Sequence, residues 1–432
     1  MNSIMDFLDD AYFLKTKTAR ELYFCYAANM PIIDFHCHLD AKEIYEDKPF
    51  ESLYELWLKY DHYKWRLMRC SGSEEKYITG AESPYDKFLA YAKNLEGALD
   101  NPLYIWSHLE LKKYFGILTP LKTDTANEIW NLACEKLKLT KLSPRKCLEL
   151  SNVEAVFTTD DVMSDLKYHK LIQQENYKIK VLPTFRGDRA IFINKTIIEE
   201  LKTKYNKDIK SLDNYITLVK KRIDYFSLHG AKASDFALED MPTNIISQSE
   251  AENIFACFLQ NHTICPKNNK KLSGYILLRL VEYLYEKNIS LQLHIGASRD
   301  KNSLMFEKLQ KDCGCDGISD KPFMDGLADL LNQLKKIKKL PNTIIYNLNP
   351  SFNQSIVALC GCFSDSKCSI QLGPAWWFLD NKDGIEEQLK TFASGLNLSK
   401  FVEMLTDARS FISYPRHDYF RRILCNFIAN KI

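Results

Sequence analysis

The sequence predicts an α/β fold, a barrel in which eight parallel strands alternate with helices. Short apolar runs of β-prone residues recur along the 432-residue chain, and most are continuous rather than alternating, as is typical of strands covered on both faces. Amphipathic helical segments lie between these runs, for example at residues 273–287 and 323–339. In the second segment apolar residues recur at spacings of three and four, and lysines occupy its carboxyl end, where the helix dipole favours them.

Eight such runs are the predicted strands. Strands that alternate with helices in this number are typical of a (β/α)8 barrel of the TIM type, in which functional residues lie at the carboxyl ends of the strands. An open, doubly wound sheet is the competing fold, but no Gly-x-Gly-x-x-Gly sequence follows a strand. The run at residues 231–236 is weak when taken alone. In chain order, the predicted strands occupy residues 31–38, 153–159, 178–185, 231–236, 290–296, 342–348, 368–377 and 401–407.

The segment between the first two predicted strands, residues 39–150, is too long for a single helix, and it is rich in aromatic residues and helix formers. TIM-type barrels place their sites at the mouth formed by the carboxyl ends of the strands. We therefore expect one (β/α)8 barrel domain over residues 1–432, with residues 39–150 as a helical insertion over the barrel mouth.

The charge balance favours a small-molecule enzyme. Lysine and arginine number 58 against 56 acidic residues, a net charge of +2, which does not indicate binding to nucleic acid or to a membrane surface. No segment approaches the roughly 18 apolar residues of a membrane span. The first twenty residues lack the apolar stretch of a signal peptide, so we expect a cytoplasmic protein.

The 13 cysteines do not form a recognisable disulfide framework, because their number is odd and their spacing irregular. Cys313 and Cys315, or Cys360 and Cys362, have the Cys-x-Cys spacing of a metal-binding pair, but they lack matching partner pairs. Reduced thiols in a cytosolic protein are the better interpretation.

The strongest local signal for chemistry is the segment Asp34–His38, which contains His36 and His38. Residues two apart in a strand face the same side, so both imidazoles project into one space. Two histidines at the end of the first barrel strand supply half of a divalent metal site. The alternative is that the two histidines only satisfy backbone groups or alternate by chance.

Two further candidates lie at other strand ends. Asp407 ends the eighth predicted strand, which in a closed barrel lies beside the first, although an aspartate there is also a good helix cap. His294 ends the fifth predicted strand and is either a third metal ligand or a group that hydrogen-bonds the substrate.

Arginines at strand ends indicate an anionic ligand, since guanidinium groups bind carboxylates through paired hydrogen bonds. Each arginine alone is more simply a salt-bridge partner in a loop. Trp376 and Trp377 end the seventh predicted strand, where one is expected to face a ligand and the other the core. The arginines concerned are Arg186, Arg299 and Arg409.

With these motifs, the chain resembles the uronate isomerase (glucuronate isomerase) family of the amidohydrolase superfamily, from Met5 to the carboxyl end. The His-x-His pair alone indicates only the superfamily, whereas the WWF and RHDYFRRILCN stretches point to this family. The resemblance is carried by DFHCHL, DHYKWRLMR, NPLYIWSHLELKKYFGI, FTTDD, LPTFRGD, LQLHIGASRD, LNP, IQLGPAWWFLDNKDG and MLTDARSFISYPRHDYFRRILCN.

The resemblance implies an aldose–ketose isomerase that interconverts D-glucuronate with D-fructuronate and D-galacturonate with D-tagaturonate. It implies one divalent ion, zinc or else manganese, held by His36, His38 and Asp407. It also implies a substrate pocket lined by His62, Tyr63, Arg186, Asp235, His294, Arg299, Trp376 and Arg409. We expect a homo-oligomer that acts on a small uronic acid and binds neither nucleic acid nor membrane.

Roles for these groups follow from the chemistry. Asp407 is the expected proton acceptor, and His294 or Tyr63 would relay protons during ring opening. Arg409 would stabilise negative charge that develops in the reaction. Arg186 or Arg299 would bind the C6 carboxylate and explain a preference for uronates.

Two departures from the family pattern keep other functions open. Relatives usually have Ser-Asp-His where this chain has Ser234, Asp235 and Phe236, and they usually continue beyond the position of Ile432. The alternatives are a metal-dependent hydrolase of the same superfamily, since the same ligands activate water, or a catalytically impaired uronate-binding relative.

Overall fold

The computed structural model of the protein describes residues 8–242, 246–310 and 312–432. Residues 5–7, where the family resemblance begins, lie outside the described residues. Within these ranges the chain forms nine strands, which are β1 Ile32–Cys37, β2 Val153–Asp161, β3 Lys180–Arg186, β4 Ala233–Leu238, β5 Ser290–Ile295, β6 Ala297–Ser298, β7 Gly317–Ile318, β8 Thr343–Asn347 and β9 Ile370–Leu372.

Seven of these strands form one parallel sheet in the order β1-β2-β3-β4-β5-β8-β9. They correspond to the first seven predicted strands, and the order follows the chain, as in a barrel that closes strand by strand. The short strands β6 and β7 form a separate antiparallel pair. The predicted α/β barrel class is confirmed.

The eighth predicted strand, residues 401–407, is not formed as a strand, although it lies where a barrel would close. The amide of Asp407 donates to the carbonyl of His36 at 3.2 Å, and the amide of His38 donates to the carbonyl of Ala408 at 3.0 Å. Glu403 and Asp407 have φ values of 74° and 47°, outside the extended range, so the segment cannot keep a regular ladder.

Helices cover the outer faces of the sheet. Seven helices, α2 to α8, lie in the chain between β1 and β2. The helices are α1 Lys17–Glu21, α2 Ala41–Glu46, α3 Leu53–Trp57, α4 His62–Cys70, α5 Pro84–Glu96, α6 Pro102–Glu110, α7 Ala126–Thr140, α8 Pro144–Leu150, α9 Lys167–Gln174, α10 Asp188–Ile191, α11 Lys195–Tyr205, α12 Leu212–Leu228, α13 Gln248–Asn261, α14 Pro266–Glu286, α15 Ser303–Leu309, α16 Met324–Lys336, α17 Asn353–Phe363, α18 Lys382–Gly395 and α19 Pro415–Ala429.

One helix start matters for the site. The Asp61 side chain accepts hydrogen bonds from the amides of Tyr63 and Lys64, which caps α4 and fixes its first turn. His62 and Tyr63 therefore occupy the first turn of α4 and are held there by the cap.

Two large apolar cores hold the sheet in place. One packs β3, β4 and β5 against α11 to α14, α16 and α17, and the other packs β1 and β2 against α3 to α8, α18 and α19. A smaller apolar cluster contains Tyr346, Trp376, Trp377 and Leu405. Among the described residues, no helix is both long and apolar enough to cross a membrane.

Candidate active site

A cavity lies at the carboxyl ends of the sheet strands and brings together every residue that the sequence predicted for the site. Ala237, Asp312 and Trp377 also line it. The predicted residues around it are His36, His38, His62, Tyr63, Arg186, Asp235, His294, Arg299, Trp376, Asp407 and Arg409.

His36, His38 and Asp407 form a compact cluster. The Oδ1 atom of Asp407 lies 3.4 Å from Nε2 of His36 and 3.1 Å from Nε2 of His38. The histidines come from the end of β1, and the carboxylate comes from the closing segment that is hydrogen-bonded to β1. Asp407 has a φ of 47°, a left-handed conformation that aspartate tolerates better than most residues.

The second oxygen of Asp407 is also held. The indole Nε1 of Trp376 donates to Oδ2 at 3.0 Å, and the Tyr63 hydroxyl lies 3.5 Å from the same atom. Burial alone would raise the pKa of Asp407, but the hydrogen bonds to His36 and His38 hold it well below its ordinary value. Asp407 is therefore a carboxylate at neutral pH.

The two cluster histidines differ in their electrostatics. Burial opposes protonation of His36, but its hydrogen bond to Asp407 and the nearby charge of Asp235 outweigh burial, so its pKa is raised. Burial dominates at His38 and lowers its pKa to about 4, despite the contact with Asp407. His38 is therefore neutral at pH 7, the form that can donate a lone pair.

A second group pairs His294 with Asp235. Nδ1 of His294 lies 2.7 Å from Oδ1 of Asp235, and both side chains are almost fully buried. The imidazole also stacks on the ring of Tyr346, with centroids 4.1 Å apart and planes 8° from parallel. Burial lowers the pKa of His294, and Asp235 only partly offsets this. With its proton on Nδ1, the neutral ring presents Nε2 as an acceptor.

These side chains suit a divalent metal. The ligand atoms of His36, His38 and Asp407 lie within 4.8 Å of one another, and so do those of His36, Asp235 and His294. Within the described part of the chain, the buried Nε2 of His294 has no hydrogen-bond partner. Imidazole nitrogens with carboxylates form the donor set that zinc and similar ions prefer, so the residues fit such an ion.

Three arginines line the cavity, each already paired with an acidic or aromatic group. Nε of Arg186 donates to Asp188 at 2.8 Å, and Nη1 of Arg299 donates to Asp316 at 3.1 Å. Arg299 also lies over the ring of Trp377, 4.8 Å from its centroid.

Arg409 is paired with groups that come from two other elements. Its Nη1 lies 2.9 Å from Nε2 of His62, and its Nη2 lies 3.7 Å from Oδ2 of Asp312. Since the cavity holds three guanidinium groups, it is suited to an anionic ligand.

The sequence did not single out Asp312 or Tyr346. Asp312 precedes β7 in a loop without a strand pattern, and nothing in the sequence places it beside Arg409. The sequence predicted that one of Trp376 and Trp377 faces the ligand, whereas both line the cavity. The chain leaves the strand at Leu372, so the alternation rule no longer applies at the tryptophans.

Phe236 does not contribute to the cavity wall. Its ring is fully buried in the apolar core and packs against Gly187, where a Cβ would lie 2.2 Å from the ring. Of the neighbours Asp235 and Phe236, Asp235 lines the cavity and Phe236 does not. Phe236 therefore belongs to the core packing and does not line the cavity.

The barrel-like parallel sheet and the histidine–carboxylate cluster at its strand ends define an α/β-barrel protein of the amidohydrolase type. The family model of glucuronate isomerase matches residues 4–432. The chain belongs to this family of aldose–ketose isomerases.

Relatives cover nearly the whole chain. A uronate isomerase of Caldanaerobacter subterraneus is 45% identical over 99% of this chain and 93% of its own. The crystal structure of a uronate isomerase from Thermotoga maritima is 32% identical, with a TM-score of 0.93 over 98% of this chain and 93% of that one. A glucuronate isomerase structure from Caulobacter crescentus, 22% identical with a TM-score of 0.90 over 98% of this chain and 91% of its own, shares the fold.

Proposed function

We propose that this protein is a uronate isomerase that interconverts D-glucuronate with D-fructuronate and D-galacturonate with D-tagaturonate. The observation that carries this proposal is one polar cavity that combines the His36, His38 and Asp407 cluster with three arginines. Its relatives of 40–45% identity bear the name uronate isomerase.

The arginines supply recognition of the uronate carboxylate. Arg186 is the last residue of β3 and Arg299 directly follows β6, and each donates a hydrogen bond to an aspartate. A guanidinium group has further N–H donors beyond those used by the aspartate, so each arginine retains donors for the C6 carboxylate. Neutral sugars lack this group and are expected to bind weakly.

His36, His38 and Asp407 would hold one divalent ion, with His294 as a further ligand or as a group facing the substrate. Zinc suits the nitrogen-rich donor set, and manganese is the alternative. When bound, the ion supplies Lewis-acid polarisation of a substrate oxygen.

Isomerisation requires that a proton leave C2 and that another reach C1 of the opened sugar. Asp407 is ionised and lies among groups that face the cavity, so it serves as the proton acceptor. His294 presents an unprotonated Nε2 and is kept in that tautomer by Asp235, so it accepts or returns a second proton.

Two other side chains, Tyr63 and Arg409, assist ring opening and charge stabilisation. The Tyr63 hydroxyl, near Oδ2 of Asp407, relays a proton to and from the ring oxygen when the sugar ring opens. Arg409 stabilises the negative charge that develops on the enediol oxygens.

The helices between β1 and β2 supply His62 and Tyr63 to the cavity, which supports residues 39–150 as an insertion over the barrel mouth. We also propose that the protein is cytoplasmic and homo-oligomeric, and that its partner is the small uronic acid rather than nucleic acid or membrane. The near balance of charges supports the last point.

The test is to incubate metal-loaded protein with D-glucuronate and, separately, with D-galacturonate, and to follow the products by proton NMR. We expect the corresponding ketoses and a return to baseline rates after chelation. A cleaved fragment from an ester, lactone or amide substrate without ketose formation would instead establish a hydrolase. Binding of uronate without formation of any product would show that the protein is a catalytically impaired, uronate-binding relative of the family.

A further inference from the structure

The loop between β6 and β7 carries a Cys-Gly-Cys tripeptide, Cys313 to Cys315, that the isomerase chemistry does not use. Gly314 has a φ of +81°, a left-handed conformation that turns the chain between the two cysteines. Cα atoms two residues apart lie at most about 7 Å from each other, and a turn shortens that distance. The pair therefore falls within the span of about 4.4–6.8 Å that disulfides usually bridge.

The two thiols also differ in access. Cys313 is 2% exposed, whereas Cys315 is partly exposed on a surface groove that it shares with Arg69 and Cys70. An accessible thiol beside a buried one is the arrangement in which the first reacts with a small molecule and the second resolves the product.

The tripeptide is flanked by two aspartates that hold arginines of the cavity. Asp312 is ion-paired with Arg409, and Asp316 accepts a hydrogen bond from Arg299. Asp312 precedes Cys313 and Asp316 follows Cys315 directly, so a change in the tripeptide backbone moves both carboxylates.

The tripeptide and its two flanking aspartates contact one face of α4. His62, Arg66 and Arg69 lie at positions i, i+4 and i+7 of this helix and therefore share a face. Their side chains reach the backbone carbonyls of residues 312, 316 and 313, respectively. The position of His62 in the cavity thus also depends on this loop.

We propose that Cys313 and Cys315 form a reversible disulfide by exchange with a low-molecular-weight disulfide such as glutathione disulfide, and that this bond lowers uronate turnover by displacing Asp312 and Asp316. The effect on turnover rests on the proposed function, whereas the formation of the bond does not.

The exchange balances without any other oxidant. The Cys315 thiolate attacks one sulfur of the small disulfide and releases one small thiolate. The Cys313 thiolate then attacks Cys315 Sγ and releases the second, so that two protein thiols are oxidised and one small disulfide is reduced to two thiols. Burial and the Cys313 thiol raise the pKa of Cys315 to about 11, so the rate of exchange should increase with pH.

The test uses the full-length, metal-loaded protein equilibrated with reduced and oxidised glutathione at several ratios. Remaining thiols are alkylated. Trypsin cleaves after Lys311 and Lys335 but not between Lys321 and Pro322, which gives a peptide, residues 312–335, whose cysteines are Cys313 and Cys315. As the proportion of oxidised glutathione rises, we expect this peptide to lose the mass of two hydrogen atoms and to escape alkylation. In parallel, kcat/KM for D-glucuronate should fall about tenfold and recover with dithiothreitol, as expected when groups that position the substrate are displaced.

Two variants separate the proposed bond from its alternatives. Cys315→Ser should keep its activity in oxidised glutathione, whereas Cys70→Ser, which removes the other cysteine of the groove, should respond like the wild type. Full alkylation of both cysteines, a stable glutathione adduct, or a bond between Cys70 and Cys315 would each overturn the proposal. Formation of the Cys313–Cys315 disulfide with unchanged kcat/KM would overturn the proposed effect of the bond on turnover. If the reduced protein forms no ketose, the proposed function fails while the peptide mass still decides the disulfide.

Discussion

Replacement of Asp235 by asparagine tests the assignment of His294 as a group that exchanges protons. Asp235 is 3% exposed, and its Oδ1 lies 2.7 Å from Nδ1 of His294. Burial alone would raise the pKa of Asp235, but its close interaction with His294 holds the pKa below its ordinary value, so the group is a carboxylate. Asparagine has nearly the same shape, but it removes the charge and replaces one acceptor oxygen with an NH2 donor.

The size of the effect follows from the tautomer of His294. If the asparagine amide donates to Nδ1, the ring proton moves to Nε2, which can then no longer accept a proton in the cavity. General acid–base catalysis contributes about 10²–10⁴ in rate. If the amide oxygen faces Nδ1 instead, loss of a charge-assisted bond of about 1.5–3 kcal/mol lowers the rate by about tenfold or more. We therefore expect kcat of Asp235→Asn to fall at least tenfold.

Asp188→Asn is the matched control. Asp188 is also largely buried and also neighbours Arg186, with its Oδ2 2.8 Å from the guanidinium Nε, but no hydrogen bond joins it to His294 in the described structure. Its replacement should raise KM, because Arg186 loses its orientation, and should leave kcat within about threefold.

The assay is steady-state ketose formation from D-glucuronate, with the metal content of each variant matched by elemental analysis. An Asp235→Asn enzyme whose kcat stays within about threefold of wild type would refute the role given to His294. Equal losses of kcat in both variants would show that the loss of a buried charge, and not the His294 tautomer, sets the rate.

Three further predictions concern other parts of the chain. Arg186→Gln or Arg299→Gln should raise KM for D-glucuronate about tenfold or more with little change in kcat; unchanged KM in both would exclude both as carboxylate ligands. His38→Ala should lose bound metal on dialysis, measured by elemental analysis, and wild-type retention would contradict its role as a ligand. Burial raises the pKa of Glu110 to about 7, so the folded state binds a proton that the unfolded chain has lost, and stability falls as the pH rises above about 4.5. Glu110→Gln should therefore gain up to about 3 kcal/mol over wild type at about pH 8.5 and little at about pH 5 in urea unfolding, and an equal gain at both would contradict this.

Most of the sheet could be predicted because buried parallel strands have a local signature. Seven of the predicted runs became strands, and the largest difference is in the seventh, which was predicted for residues 368–377 and spans only Ile370–Leu372. The eighth, residues 401–407, has the same composition, but the positive φ values of Glu403 and Asp407 turn its backbone away from a ladder. Such conformations depend on contacts with β1, which no local pattern records.

The site was predictable where its residues sit at strand ends. His36 and His38 could be predicted from their spacing on one strand. Asp235, His62 and Tyr63 have no such pattern and were predicted from the family resemblance. The loop contacts were not predictable: Asp312 reaches Arg409 only because β6 and β7 pair and because α4 packs on the loop between them. Sequence separation between these partners is too large for any local rule to connect them.

The most direct test of the account compares wild type with Asp407→Asn in the same NMR assay with D-glucuronate. Asparagine can still ligate the ion through its amide oxygen, but it cannot accept the proton from C2. We predict that the wild type forms D-fructuronate and that the variant, with its metal content measured and matched, forms it about 10²–10⁴ times more slowly. Near-normal turnover by Asp407→Asn, or no ketose from the wild type with zinc or manganese, would contradict the account.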